Sequence, residues 1–345
     1  MTKSNRRVAV AAIVTAGAAL CAAAAPATSA DFYKDKTISF VVGSAAGGSY
    51  DAYARLLSRH MGKHIPGHPS IVVRNMPGAA GIQATQFVAE VAPKDGTAVA
   101  APLNTLPMTQ LLEPKKITFD CGDLQWIGTA ASPANVLVTW HSSNVKTLAD
   151  AQAREVTIGA TTPGTTMEMY PLMANHLFGT RFKVVTGYIG GAEINLAMER
   201  GEVEGRGSNS YLSYRFQNPE WIRDGKLNIL FQMTLKRDPL LPDVPALIEF
   251  AKTDEQRRIV SLLATSEAIG RPLVTAAATP ADRVAILRKA LQDAVADPGL
   301  RADAEKARLE LQPIDGEEMQ EMITSIVRAK PDIVEKYKQA VSRRN

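Results

Sequence analysis

The chain has 345 residues, 46% of them hydrophobic and 21% charged, with a formal net charge of +4. Three of its cations, Lys3, Arg6 and Arg7, precede an alanine-rich apolar run over residues 8–25, with small residues following to Ala30, the pattern of a secretory signal peptide. Without that segment the charge is +1, which argues against nucleic acid or an anionic membrane surface as a partner.

Cleavage is expected after Ala30, with Ala27 as the alternative. Leu20 directly before Cys21 argues against a lipoprotein site, and the twin arginines lack a flanking export motif. No later run approaches the roughly 20 apolar residues of a membrane span, so the exported chain is expected to be soluble and periplasmic. Cys121 would then be the sole cysteine, excluding an intrachain disulfide and leaving stability to core burial. About 315 remaining residues suffice for that and suggest two domains.

Taken in order, residues 38–42 read as a strand and residues 43–49 as a small-residue loop. Apolar positions then recur at helical spacing, at Ala52, Leu56 and Leu57. Gly47 and Gly48 permit close backbone approach, Ser49 reads as the N-cap with Asp51 in the first turn, and the free N–H groups of such a start suit an anion. The helix runs to about Met61. A strand at 70–73, the loop RNMPGAAG, a helix at 82–91, a turn at 93–96 and a strand at 98–101 follow. Repeated βα units predict α/β layers on a largely parallel sheet, with ligands beyond the carboxyl ends of the strands.

A second set of units begins near Leu124. Strands are expected at 136–139, 156–160, 183–185, from 202, and at 227–233, with helices at 149–153, 168–177 and 190–198. The remainder reads as helical apart from a strand at 273–276. One helix opens at Thr279-Pro280 and runs to Ala296, Asp297-Pro298 interrupts, and helices follow at 302–307 and 316–341.

Enzyme motifs are missing their parts. The opening loop has Ser49 and Tyr50 where a phosphate loop needs lysine and a hydroxyl, and neither GxGxxG after a strand nor GxSxG occurs. Residues 143–146 satisfy SxxK without its companion motifs, in what reads as a polar loop. His60, His64 and His68 stand four apart. That spacing would align two of them for a metal, but Pro66 and Gly67 break the helix before the third, and histidines are also favoured at a helix C-terminus. What remains are three small, polar helix entrances, at 44–51, 77–81 and 161–166. Facing one another, they would clamp a carboxylate without a paired lysine.

These segments resemble, in order, the extracytoplasmic solute receptors of tripartite tricarboxylate transporters, the Bug family. Residues 38–51 are similar to its opening strand and AAGGSxD loop, 72–81 to VVxNxPGAGG, and 92–96 to APxDG. Residues 188–204, YIGGAEINLAMERGEVE, follow YKGxxxAxxDLxxGxVD without a gap. Residues 236–245 resemble the return crossover and 278–287 the TPxxVxxLxxAL helix. The resemblance implies a type II periplasmic binding protein fold: two α/β lobes with a ligand cleft between them and two interlobe crossovers. Lobe 1 would comprise 31–127 and 235–345, and lobe 2 residues 128–234.

It further implies that first-lobe loops hold a ligand carboxylate through backbone amides and waters. That places Ser44, Ala45, Gly47, Gly48, Ser49 and Asp51, with Gly78, Ala79, Ala80 and Gly81, at the site. The second lobe would read the rest of the solute through Thr161, Thr162, Gly164, Thr165, Thr166 and Glu168, through Tyr188, Gly190 and Gly191, and through Arg206, Ser208 and Asn209. No cofactor or metal is implied. The implied partners are a small carboxylate solute and membrane permease subunits, with the receptor a monomer. A protein signalling to a sensor kinase, or a secreted enzyme, are the alternatives.

The chain departs from the family in several places. Gly43-Ser44 stands where Pro-Phe is usual, Glu168 where histidine is common, Ala197 where aspartate is usual, and Arg206 where an apolar residue is found. Arg206 has two readings: a fork for a second carboxylate, or a structural partner of Glu168 or Glu204. Glu168 could also hold a cation or a solute hydroxyl.

Overall fold

The computed structural model describes residues 32–161 and 163–343, so the expected signal peptide and Thr162 lie outside the described residues. The first sheet opens with β1 (Thr37–Val42), β2 (Ser70–Asn75), β3 (Ala98–Ala101) and β4 (Gln125–Thr129). The second comprises β5 (Asn135–Trp140), β6 (Val156–Gly159), β7 (Phe182–Val185), β8 (Gly205–Ser210) and β9 (Leu227–Gln232). The chain then returns to the first sheet with β10 (Pro272–Thr275) and β11 (Ile314–Asp315). Spatial orders are β11-β4-β10-β3-β1-β2 and β7-β6-β8-β5-β9.

The sheets are mixed rather than largely parallel. β1 runs parallel to β2 and β3, but β10 lies antiparallel between β3 and β4, and β5 is antiparallel to both β8 and β9. The returning chain explains the direction of β10. Gly270, at φ +67°, brings it back against Ala131, where a Cβ would lie 1.8 Å from the Ala131 carbonyl oxygen. It therefore re-enters where the chain left, and its first strand must run away from that edge.

The same directions fix how the sheets face. β4 is antiparallel to β10 and β10 to β3, so β4 ends on the edge where β1 and β3 end. The chain leaves that edge at Thr129 and enters the second sheet at Asn135, which pairs with Ser210 at the end of β8. β8 is parallel to β6, so β6 also ends there. The loops after β1, β2, β6 and β7 thus lie on the two edges that the crossovers join.

Burial follows the apolar periodicity. Ile38, Phe40 and Val42 of β1 pack with Leu56 and Leu57 of the helix Ser49–His60, each essentially solvent-free. Each large side chain so buried contributes about 1.5–3 kcal/mol. A second apolar cluster is continuous between the sheets. It joins Val41 and Trp126 to Val156, Tyr170 and Phe231 through Val260 and Leu263 of the helix Asp254–Ala268 and Tyr337 of the helix Pro331–Val341. That last helix packs on the helix Thr166–Phe178 of the second sheet. The helix expected over 316–341 is broken, into Gly316–Val327 and Pro331–Val341, because proline holds the preceding Lys330 extended.

His60 and His64 reach different carboxylates, Asp303 at 2.9 Å and Asp297 at 3.4 Å. Cys121 is fully buried, which pushes its thiol up to about 12.

Candidate ligand site between the two sheets

The first entrance is built from backbone. Gly43 donates its N–H to the Ala101 carbonyl at 3.0 Å, and a Cβ on Gly43 would stand 2.8 Å from the Gly81 Cα. The loops after β1 and β2 therefore press together without intervening side chains. Gly48, not Ser49, is the N-cap; Ser49 is the first helical residue, and no side chain caps the helix. Its first-turn N–H groups have no intrahelical acceptor. Residues 45–49 are exposed, so these donors open to the edge facing the second sheet. In the neighbouring loop Gly81 caps the helix Ile82–Gln86, and Ala79 sits at φ +45°, a left-handed conformation costing a non-glycine residue about 1 kcal/mol.

Asp51 turns inward. Buried to 3% exposure, it accepts from Gly47 N–H and Arg55 Nε, each at 2.9 Å, and from Asn75 Nδ2 at 2.9 Å. Asn75 also donates to the Ser44 carbonyl at 3.1 Å. The Arg55 guanidinium, helped by these donors, holds the Asp51 carboxyl down at about 2. Both oxygens are occupied, so Asp51 braces the loop that carries the donors.

The second sheet repeats the device. Thr165 caps the helix Thr166–Phe178, and Glu168, 4% exposed, accepts the Gly164 N–H at 2.7 Å. Its other oxygen accepts from Arg343 Nε at 2.6 Å, and Arg343 donates in turn to Thr186 Oγ1 at 3.0 Å. After β7, Gly190 caps the helix Gly191–Glu199 without a side chain, and Glu193 accepts the Ile189 N–H at 2.8 Å. In all three loops an acid four residues on reaches back to a loop N–H. GGSYD, PGTTME and IGGAE carry that spacing, a signal the sequence did offer. Tyr188 is half-buried beside this third entrance.

Arg206 lies on β8 opposite Gly159, the last residue of β6, at the base of the second entrance. It pairs with neither Glu168 nor Glu204, since Glu204 is taken by Arg154 and Ser143. Its donors go to the Ser208 carbonyl at 3.2 Å, the Gly191 carbonyl at 3.4 Å, Asn195 Oδ1 at 3.1 Å and Asn209 Oδ1 at 3.2 Å. Every one of these acceptors is neutral. Ser208 is buried and Asn209 half-buried at the same sheet edge.

Behind the loops lies a polar group that no motif announces. Tyr50 donates to Asn104 Oδ1 at 2.9 Å beneath the Arg271 guanidinium, 5.0 Å from its ring, and Asn104 reaches the Ser266 carbonyl at 3.4 Å. Next to it, Asn135 at the start of β5 donates to Glu267 at 2.5 Å. Burial pushes the Glu267 carboxyl up. These contacts tie the helix Asp254–Ala268 to both the first-sheet site and the crossover.

Two mixed sheets joined by crossovers on facing edges, with uncapped helix starts on both edges, define a two-lobed binding protein. The chain belongs to the tripartite tricarboxylate transporter family of receptors, TctC, whose family model matches residues 53–338. It is 32% identical over 255 residues to the UPF0065 protein in the gbd 5' region of Cupriavidus necator, covering 70% of this chain and 73% of that one. A TctC solute-binding protein from Polaromonas superposes with a TM-score of 0.69 at 22% identity, over 90% of this chain and 99% of that one. MatC from Rhodopseudomonas palustris, solved with bound malate, gives 0.54 at 20% identity, over 89% and 99%. The protein is a solute-binding receptor of the TctC family.

Proposed function

We propose that this receptor works in the periplasm, captures an organic acid by a carboxylate at the first-sheet entrance, and delivers it to membrane permease subunits. The observation that carries this reading is the glycine-capped start of the helix Ser49–His60, whose donors are exposed while the nearby Asp51 charge is cancelled by Arg55. An anion there meets oriented N–H groups and no net opposing charge. Gly78 and Gly81 supply the flanking wall, and the loops of the second sheet close over the solute by motion about the crossovers. Closure is favoured because the solute contacts both edges only when they approach. The malate in the Rhodopseudomonas relative fits a carboxylate as the anchoring group.

Calorimetry and thermal shift against mono-, di- and tricarboxylates and aromatic acids test the reading. A true ligand at a hundredfold excess over its Kd should stabilise the fold by about 2.7 kcal/mol. Silence across the panel would refute it.

A further inference from the structure

Resting on the receptor reading, we infer that Arg206 is the counter-ion of a second ligand carboxylate, so that this receptor selects dianionic acids. Arg206 is only 7% exposed, and among the described residues it forms no ion pair. A buried guanidinium without a carboxylate is costly, because neutral acceptors do not offset the lost hydration of its charge. Its position worsens that cost. The guanidinium lies against Gly191, where a Cβ would come within 2.4 Å of Nη2, at the positive start of the helix Gly191–Glu199. The nearby acids are engaged elsewhere: Glu168 by Arg343, Glu204 by Arg154, and Glu193 by the Ile189 N–H.

Nη2 carries an N–H beyond the one given to Asn209. Tyr214, whose ring lies 6.0 Å from the guanidinium carbon, turns its buried hydroxyl toward Arg206 and Asn209 and is likewise neutral. An anion entering between the half-buried Asn195 and Asn209 supplies the missing charge.

The test is titration calorimetry on the full-length mature chain with succinate and adipate against butyrate and hexanoate. Wild type should prefer the diacids. Arg206→Met should weaken the better diacid roughly tenfold or more while leaving the monoacids within about threefold. Should Arg206→Met fail to fold, Asn195→Asp is the second variant. It places a carboxylate on Arg206 from within, and should raise the melting temperature while weakening the diacid selectively. Equal losses for both classes in Arg206→Met, undiminished diacid binding in Asn195→Asp, or a wild-type preference for monoacids would overturn the assignment. Wild type binding neither class would instead refute the receptor reading beneath it.

Discussion

Asp51 and Glu168 occupy corresponding places in different lobes, and each has its charge cancelled by an arginine, Arg55 or Arg343. An uncancelled carboxylate beside an anion site would repel the solute, so these acids fix loop shape without setting its polarity. Asp51→Ala would leave Gly47 N–H, Arg55 and Asn75 without their acceptor and should cost about 2–4 kcal/mol in urea unfolding. The pH dependence has a definite sign. The Asp51 carboxyl is lowered from 3.8 to about 2, so its stabilisation is complete above pH 3.8 and lost as the pH falls through 2. Glu310 behaves oppositely. Burial, with Asp238 adding to it, raises its carboxyl from 4.5 to about 7 against the lowering pull of Arg215. Stability from protonated Glu310 is complete below pH 4.5 and is lost as the pH rises through 7. Glu310→Gln should flatten that slope in melts taken across this window, and an unchanged slope would exclude Glu310 as its source.

Among the elements, the helix Pro331–Val341 has the longest reach. It packs on both the helix Asp254–Ala268 and the helix Thr166–Phe178, and the chain just beyond it sets Arg343 on Glu168. Arg343 is half exposed, so the pair adds at most about 1 kcal/mol to stability. A larger effect is expected on binding. Arg343→Ala would uncover the Glu168 charge at the second entrance and should weaken carboxylate binding several-fold at low salt, with the deficit shrinking as salt is added. A deficit independent of salt would point to lost packing. The sequence discloses the entrances readily, because strand, glycine loop and helix succeed one another locally. It does not disclose Arg343, which lies 175 positions from its partner. Nor does it reveal Glu267, whose partner Asn135 becomes a neighbour only when the crossover forms. The cap falls at Gly48 and not at the expected Ser49, because the loop geometry overrides the stronger capping preference of serine. The direction of β10 depends on where a distant chain segment returns, so no local pattern encodes it.

Across the whole molecule, the two lobes share an apolar cluster, with helices Asp254–Ala268 and Pro331–Val341 packed between the sheets. Lobes coupled this way should unfold together, and calorimetry should record a single cooperative transition with matching calorimetric and van't Hoff enthalpies. Two resolved transitions would mean that the shared cluster contributes little. The closure proposed about the crossovers would leave this cluster packed while the loop edges approach. Ile189 is 90% exposed at the tip of the loop after β7.

The burial of Cys121 offers a practical handle on that motion. A thiol enclosed in the core, with burial pushing it up to about 12, should resist maleimides at neutral pH. Engineered cysteines at exposed Lys115, away from the entrances, and at Ile189 can therefore carry a fluorophore pair with the native cysteine left in place. Energy transfer between them would then report opening and closing in single molecules, one solute at a time.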